Sequence, residues 1–327
     1  VYAEREQLLG GADAAVRAVA EVCALDSSAC LDSPATAARY AARVAADGAA
    51  DAATVCGHAA GLDPCPPDAP NQTACLGAAP PQPRPYAEVR TTTRMPDGST
   101  VLPGTFARAL SGGAYAGDTI AACARATWGP PRRSRGLAIT FSLCEWNLAT
   151  ADGAALWPPP GRGLPPDGAE VAIRLHDSQG DDRCPAGPSG WDRPGGFGWL
   201  ADPDLTCEAE VEWGGTYQGN TGNSVSKPCK DVLPDLLTEP TVSTIPIYDT
   251  VAGSGANTRY HLAGFAAFVM TGYYLSGMAE PSWLTDRNLC AGQQRCLYGY
   301  FVRGLVSGAD TEIGGPSLGL TVIDLVG

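Results

Sequence analysis

Tyr260-His261-Leu262-Ala263-Gly264-Phe265-Ala266-Ala267-Phe268-Val269-Met270-Thr271-Gly272-Tyr273-Tyr274-Leu275 is the stretch that decides the fold class. It is rich in aromatic and apolar residues, holds no proline, and begins with the alternation expected of a half-buried strand. Gly253-Ser254-Gly255-Ala256-Asn257 separates it from a strand-like run over 245–251, and two more such runs follow at 295–306 and 318–326. Nine of the seventeen Tyr and Phe residues lie after Pro246, so a β core belongs at this end of the chain.

Upstream, order is harder to read. Residues 150–240 are dominated by Gly, Pro, Asp and Trp, and only 171–175 and 207–213 alternate convincingly. So long a loop-rich stretch is unusual in a compact domain unless it is pinned or functional. Two strands are expected at 118–128 and 137–146, the second ending in Ile139-Thr140-Phe141-Ser142-Leu143-Cys144. Another is expected over 88–94, followed by the turn signal Pro96-Asp97-Gly98, with one helical turn at 106–110.

The first part of the chain has a different period. Leu8, Leu9, Ala12, Ala15, Val16, Val19 and Val22 recur at spacings of three and four, a narrow apolar stripe on an alanine-rich helix. Gly10-Gly11 should weaken or bend it, at about 1 kcal/mol per glycine relative to alanine. Ser33-Pro34 supplies a cap and a first-turn proline for a second helix over 34–47, which 49–60 resumes. The fold class is therefore α+β: an alanine-rich helical hairpin over 1–61, a proline-rich linker over 62–85, and a disulfide-stapled, loop-rich antiparallel β head over 86–327, open to subdivision near 150–245.

The twelve cysteines set the compartment. None forms a C-x-x-C pair or a zinc-finger pattern with histidine. An even number of thiols without a metal pattern fits a framework of bridges in an oxidising exterior. All twelve are disulfide candidates: Cys23, Cys30, Cys56, Cys65, Cys75, Cys123, Cys144, Cys184, Cys207, Cys229, Cys290 and Cys296. Spacing favours Cys23–Cys30, Cys123–Cys144 across adjacent strands, and Cys290–Cys296. Cys65 and Cys75 pin the proline-rich segment, and Cys184, Cys207 and Cys229 hold the long loop region.

A formal charge of −13 repels nucleic acid, and Arg132-Arg133-Ser134-Arg135 is too short and isolated to reverse that. Catalytic patterns are poor. His58 reads as a helix-end residue and His261 as a strand residue; His176-Asp177-Ser178 lacks the spatial relay of a hydrolytic triad, and no G-x-S-x-G elbow occurs. No catalytic residue is assigned. Asp177, Asp181, Asp182, Asp192, Asp202 and Asp204 offer the oxygen ligands that calcium takes, although a solvated acidic loop explains them more simply. Glu145 beside Trp146 could serve a carbohydrate-active site, and Trp157, Trp191 and Trp199 could stack on sugars. Asn71-Gln72-Thr73 is a glycosylation sequon.

Ordered short motifs add a resemblance. Tyr2-Ala3-Glu4-Arg5-x-Gln7-Leu8 with Gly11-Ala12-Asp13-Ala14-Ala15 is similar to the segment just after the membrane helix of TadE- and TadG-like proteins. Val89-x-Thr91-x-Thr93, Phe106-Ala107-Arg108-Ala109-Leu110 and Ala122-x-Ala124-x-Ala126-Thr127-Trp128-Gly129 follow in order. So do Thr140-Phe141-Ser142-x-Cys144-Glu145-Trp146, Ile245-Pro246-Ile247-Tyr248-Asp249 and Arg295-Cys296-x-x-Gly299-Tyr300-Phe301-Val302. The chain thus resembles the extracytoplasmic part of the Tad (tight adherence, Flp) pilus-assembly proteins of actinobacteria.

The resemblance implies a non-enzymatic, pseudopilin- or minor-pilin-like protein at the cell surface. It would be anchored by a membrane helix upstream of Val1 and would contact other pilus subunits through its N-terminal helix. The alternative is a surface ligand-binding module, an adhesin or carbohydrate-binding protein, using the Trp- and Asp-rich loops of 150–240.

Overall fold

Alanine, leucine, glutamate and arginine, all strong helix formers, make up most of α1 (Tyr2–Leu25) in the computed structural model. The structure describes residues 2–44, 50–68, 72–73, 75, 83–94, 99–102, 112, 118–161, 163–175, 184, 197–220, 225–253, 257–307 and 311–326. The expected turn at 96–98, the helical turn at 106–110, His176-Asp177-Ser178, Asp181, Asp182, Asp192, Trp191 and Asn71 lie outside the described residues. The chain divides into two compact units, residues 1–129 with 323–327, and residues 130–322.

In the first unit α1 runs unbroken through Gly10-Gly11. Helix α2 (Ser33–Val44) packs against it, and the glycines explain how closely: a Cβ on Gly11 would sit 3.3 Å from the carbonyl oxygen of Ala41. The missing side chain lets the two backbones approach, and that packing offsets the propensity cost. Ser33 is already helical and fully buried, because a 3₁₀ turn (Ala29–Asp32) leads straight into α2, so it does not act as the cap.

The other face of α1 lies on an antiparallel sheet of β1 (Ala50–His58), β2 (Tyr86–Thr93) and β3 (Ala121–Gly129), in the order β1-β2-β3, with residues 323–325 beyond β3. Ala12, Ala15, Val16 and Val19 are fully buried with Ala37, Ala41, Val89 and Ala126. The small side chains keep this layer thin. Asp13 is half-buried on α1, and burial pushes its carboxyl above the ordinary value of 3.8, with Arg17 pulling partly the other way. A raised acid pKa means the folded chain holds the proton more tightly, so stability falls as pH rises from 3.8 through the folded-state value. Asp13→Asn therefore raises the melting temperature near neutral pH, and melts taken below pH 3.8 show no gain.

Two expectations for this region are corrected. Residues 50–58 form strand β1, where a resumed helix was expected, because Val55 and Cys56 pair in register with Val89 and Glu88 of β2. The proline-rich stretch 62–85 does not separate two bodies. Cys65 is bonded to Cys56 on β1 and Cys75 to Cys123 on β3, which ties the stretch back onto the sheet of its own unit.

The second unit begins with β4 (Pro131–Leu137) and β5 (Ile139–Ser142). The expected strand through Trp146 stops at Ser142, whose hydroxyl accepts the Cys144 N–H at 3.0 Å and starts helix α3 (Leu143–Thr150). Then come β6 (Val171–Arg174), β7 (Phe197–Trp199), β8 (Glu208–Glu212), helix α4 (Lys227–Thr238), β9 (Val242–Ala252), β10 (Arg259–Leu275) and β11 (Cys296–Val302). The main sheet has the order β6-β11-β10-β9-β5-β7, antiparallel except where β5 runs parallel to β9. Strand β10, the quoted stretch, is its centre, and Phe141, Phe268 and Phe301 meet edge to face beneath it with centroids 5.0–6.1 Å apart.

The basic knot at 132–135 is not isolated. It lies on β4 between β8 and a short strand at Glu312–Ile313, and Arg132, Arg133 and Arg135 face Glu212, Glu210 and Glu208 across the ladder. These pairs are about half exposed, so each contributes at most about 1 kcal/mol.

The fold is thus α+β and stapled by six bridges, three in each unit. Cys23–Cys30 and Cys290–Cys296 close short loops. The expected Cys123–Cys144 bridge is absent: Cys123, on β3, is bonded to Cys75, and Cys144, in the first turn of α3, to Cys184. Cys207 is bonded to Cys229 at the start of α4.

Candidate functional site

Six bridges and no free thiol place the folded chain in an oxidising, extracytoplasmic environment. Among the described residues no helix is long and apolar enough to cross a membrane. Two groupings of side chains could carry chemistry, one in each unit.

The first surrounds Glu88. Its carboxylate is 3 % exposed and accepts from Arg90 Nε at 2.8 Å and from Arg125 Nη2 at 2.7 Å. Arg90 donates onward to the carbonyls of Pro66 and Pro67 at 2.8 and 2.9 Å, and pairs with Asp68. A Glu88 oxygen also lies within 4.8 Å of the sulfurs of Cys56 and Cys65, and of those of Cys75 and Cys123. Those sulfurs are held in S–S bonds and offer no thiolate, so the oxidised chain has no metal centre there. The cluster is a structural clamp: it turns the proline-rich segment back onto β2.

The second grouping is a cleft of about 420 Å³ between α3 and the segment entering β6. Glu145, Leu148 and Ala149 of α3 line one side and Gly168, Ala169 and Val171–Ile173 the other, and Ala155 and Trp157 complete the lining. Each wall is fixed. Ser142 and the Cys144–Cys184 bridge hold the first turn of α3. Trp157 donates its N–H to Phe301 O at 3.1 Å and accepts from Arg303 N–H at 2.9 Å, extending the sheet beside β11. Behind the far wall, the Glu170 carboxylate accepts from the hydroxyls of Thr271, Ser282 and Thr285.

Burial pushes the hydroxyls of Tyr273, Tyr298 and Tyr300 above their ordinary value; a second, smaller push on Tyr273 comes from Glu280. The Tyr300 hydroxyl and the Trp146 indole N–H are buried with no hydrogen-bond partner among the described residues. Neither Tyr300 nor Trp146 is among the residues that line the cleft.

Of the residues singled out from sequence, Glu145 and Trp157 meet at this cleft, although 12 positions apart and on different elements. Trp199 is 5 % exposed in the core and Trp146 4 %, so neither presents a stacking face. His58 is exposed at the end of β1, and His261 holds Asp249 through Nδ1 at 2.7 Å on the outer face of the sheet. Asp202 does not turn toward a cation: both its oxygens accept backbone N–H groups, from Thr206 at 3.0 Å and Cys207 at 2.7 Å, closing a turn. The far wall of the cleft was missed. No periodicity marks Gly168–Ile173 as its counterpart, because the strand that brings it there is β11, more than 120 positions downstream.

Compared with known proteins, the chain matches no family model, no curated protein and no solved structure.

Proposed function

We propose that the chain is the extracytoplasmic part of a non-enzymatic, membrane-anchored cell-surface protein of the Tad pilus-assembly kind, with a minor-pilin-like role. The observation that carries this reading is the distribution of the disulfides: all twelve cysteines are bonded, and each unit has its own three bridges. Such a head keeps its shape outside the cell, where no chaperone refolds it. A long helix laid along an antiparallel sheet supports the same reading, since it suits continuation into an upstream membrane helix.

The helix narrows what partner contacts are available. Its apolar stripe is buried inside its own unit, so subunit contacts through α1 fall to the opposite face, where Glu6, Arg17 and Glu21 are exposed. Charges of both signs on that face suit a partner helix of complementary pattern.

Deleting the gene abolishes surface pili and adhesion. Complementation with a chain carrying Arg17→Glu and Glu21→Arg restores secretion but not piliation. Normal piliation in the deletion strain overturns the assignment, and free thiols in most of the native secreted protein overturn its surface location.

A further inference from the structure

We infer that the cleft between α3 and β6 is a docking site for an extended, basic peptide segment, which adds to the main sheet as a strand along the outer edge of β6. This assignment rests on the cleft and the sheet edge and is independent of the pilus reading.

Strand β6 ends the main sheet and pairs only with β11 among the described strands. The Leu175 N–H donates to Arg295 O at 2.7 Å, which makes 175 and 295 a hydrogen-bonded pair. In an antiparallel ladder such pairs alternate with pairs whose N–H and C=O groups point away. Ile173 therefore turns its backbone groups toward Leu297, and Ala172 turns its own outward, where they find no partner among the described residues. Phe301 O and Arg303 N–H point to the same side of β11 and are taken by Trp157, which confirms the alternation along that edge.

Side chains specify what kind of strand fits. Val171 and Ile173 face the core on the α3 side, so alternate residues of an added strand project over them into the cleft. There they meet Leu148, which is 41 % exposed, together with Ala149 and Trp157, and at one end the Glu145 carboxylate. A carboxylate has room for a further donor beside any it already holds. With a net charge of −13 behind it, a lysine or arginine side chain is the complement.

A sugar fits this site poorly. Its many hydroxyls need several polar side chains, and among the described residues lining the cleft only the Glu145 carboxylate and the Trp157 indole N–H offer polar side-chain atoms; the remaining hydroxyls would be desolvated unpaired. A peptide carries its own donors and acceptors to the backbone of Ala172.

The test uses the full oxidised chain and a short capped peptide of alternating threonine and valine with one central lysine, labelled for fluorescence anisotropy. Saturable binding is expected, with amide exchange at Ala172 slowed in the complex. Ala172→Pro removes the outward N–H but leaves the β11 ladder intact, as edge strands tolerate, and abolishes binding. Leu148→Lys, at a half-exposed position that threatens no packing, abolishes it too, and Glu145→Gln weakens it on the order of fivefold.

Equal binding by a peptide with glutamate for lysine, or with proline at every second position, overturns the proposal. So does competition by a neutral oligosaccharide. Concentration-dependent dimers that protect Ala172 without peptide also overturn it, because a second copy of the chain would then be the edge's natural cover.

Discussion

Glu88→Ala destabilises the first unit by about 3–5 kcal/mol, the range for removing one partner of a buried ion pair. Three charges share the space between β2 and β3: the Glu88 side chain is 3 % exposed, Arg90 7 % and Arg125 11 %. Removing the anion leaves two guanidinium groups facing each other. Arg90 keeps the carbonyls of Pro66 and Pro67 and the exposed Asp68, while Arg125 gives up two hydrogen bonds to Glu88 Oε2 and keeps its place over the Tyr86 ring. Urea unfolding without reductant, followed by hydrogen exchange at β2 and β3, reads the loss. The matched control replaces Glu88, Arg90 and Arg125 together with methionine, leucine and methionine, and recovers most of the stability, since an apolar triad costs no desolvation. A loss under about 1 kcal/mol for Glu88→Ala would show that water already reaches the cluster.

The clamp also shows why part of this unit could not be read from the sequence. Ala50, Ala52, Ala59 and Ala60 carry the composition of a helix, yet Thr54-Val55-Cys56 are drawn into a ladder with β2. Helix propensity spans less than about 1 kcal/mol per residue, and a full strand partner outweighs it. The α1 stripe and strand β10 were legible because their periods repeat over many residues and each buries the face its pattern predicts. Gly10-Gly11 was legible as a weakness but not as a packing site, since the partner, Ala41, is 30 positions away.

Helices α3 and α4 were within reach. Ser142-Leu143-Cys144-Glu145 has the capping-box form, and Ser226-Lys227-Pro228 places a cap and a first-turn proline. The apolar run Ile139–Phe141 hid the first by flowing into it without a break, and Pro234 inside α4 hid the second. The cleft depends on both kinds of information. Glu145 and Trp157 stood out by residue type, but the wall at 168–173 exists only because β11 gathers β6 beside α3. Bridge connectivity is similar: neighbour spacing finds the small loops closed by Cys23–Cys30 and Cys290–Cys296, whereas Cys144–Cys184 follows from Cys144 lying on a helix and not on a strand.

Removing the Cys75–Cys123 bridge by replacing both residues with alanine costs about 4 kcal/mol, more than any other bridge of the first unit. The length of chain that each bond closes sets the cost. Cys75 and Cys123 are 48 positions apart, against 7 for Cys23–Cys30 and 9 for Cys56–Cys65. The chain-entropy relation gives about 2–2.5 kcal/mol for the two short loops, so the ranking is set by the logarithm of loop size. Cys123 is also 4 % exposed on β3, where alanine leaves a void but buries no polar atom, which is why alanine is the cleaner substitution than serine. Denaturant midpoints of the three double variants, measured without reductant, check the order, and Cys290→Ala with Cys296→Ala serves as the control. That last bridge lies in the other unit, so its loss leaves hydrogen exchange at β2 and β3 unchanged. Equal losses for Cys75–Cys123 and Cys23–Cys30 would mean that the 48-position segment is already constrained in the unfolded chain, by the proline-rich stretch within it, and that the staple acts through native packing instead.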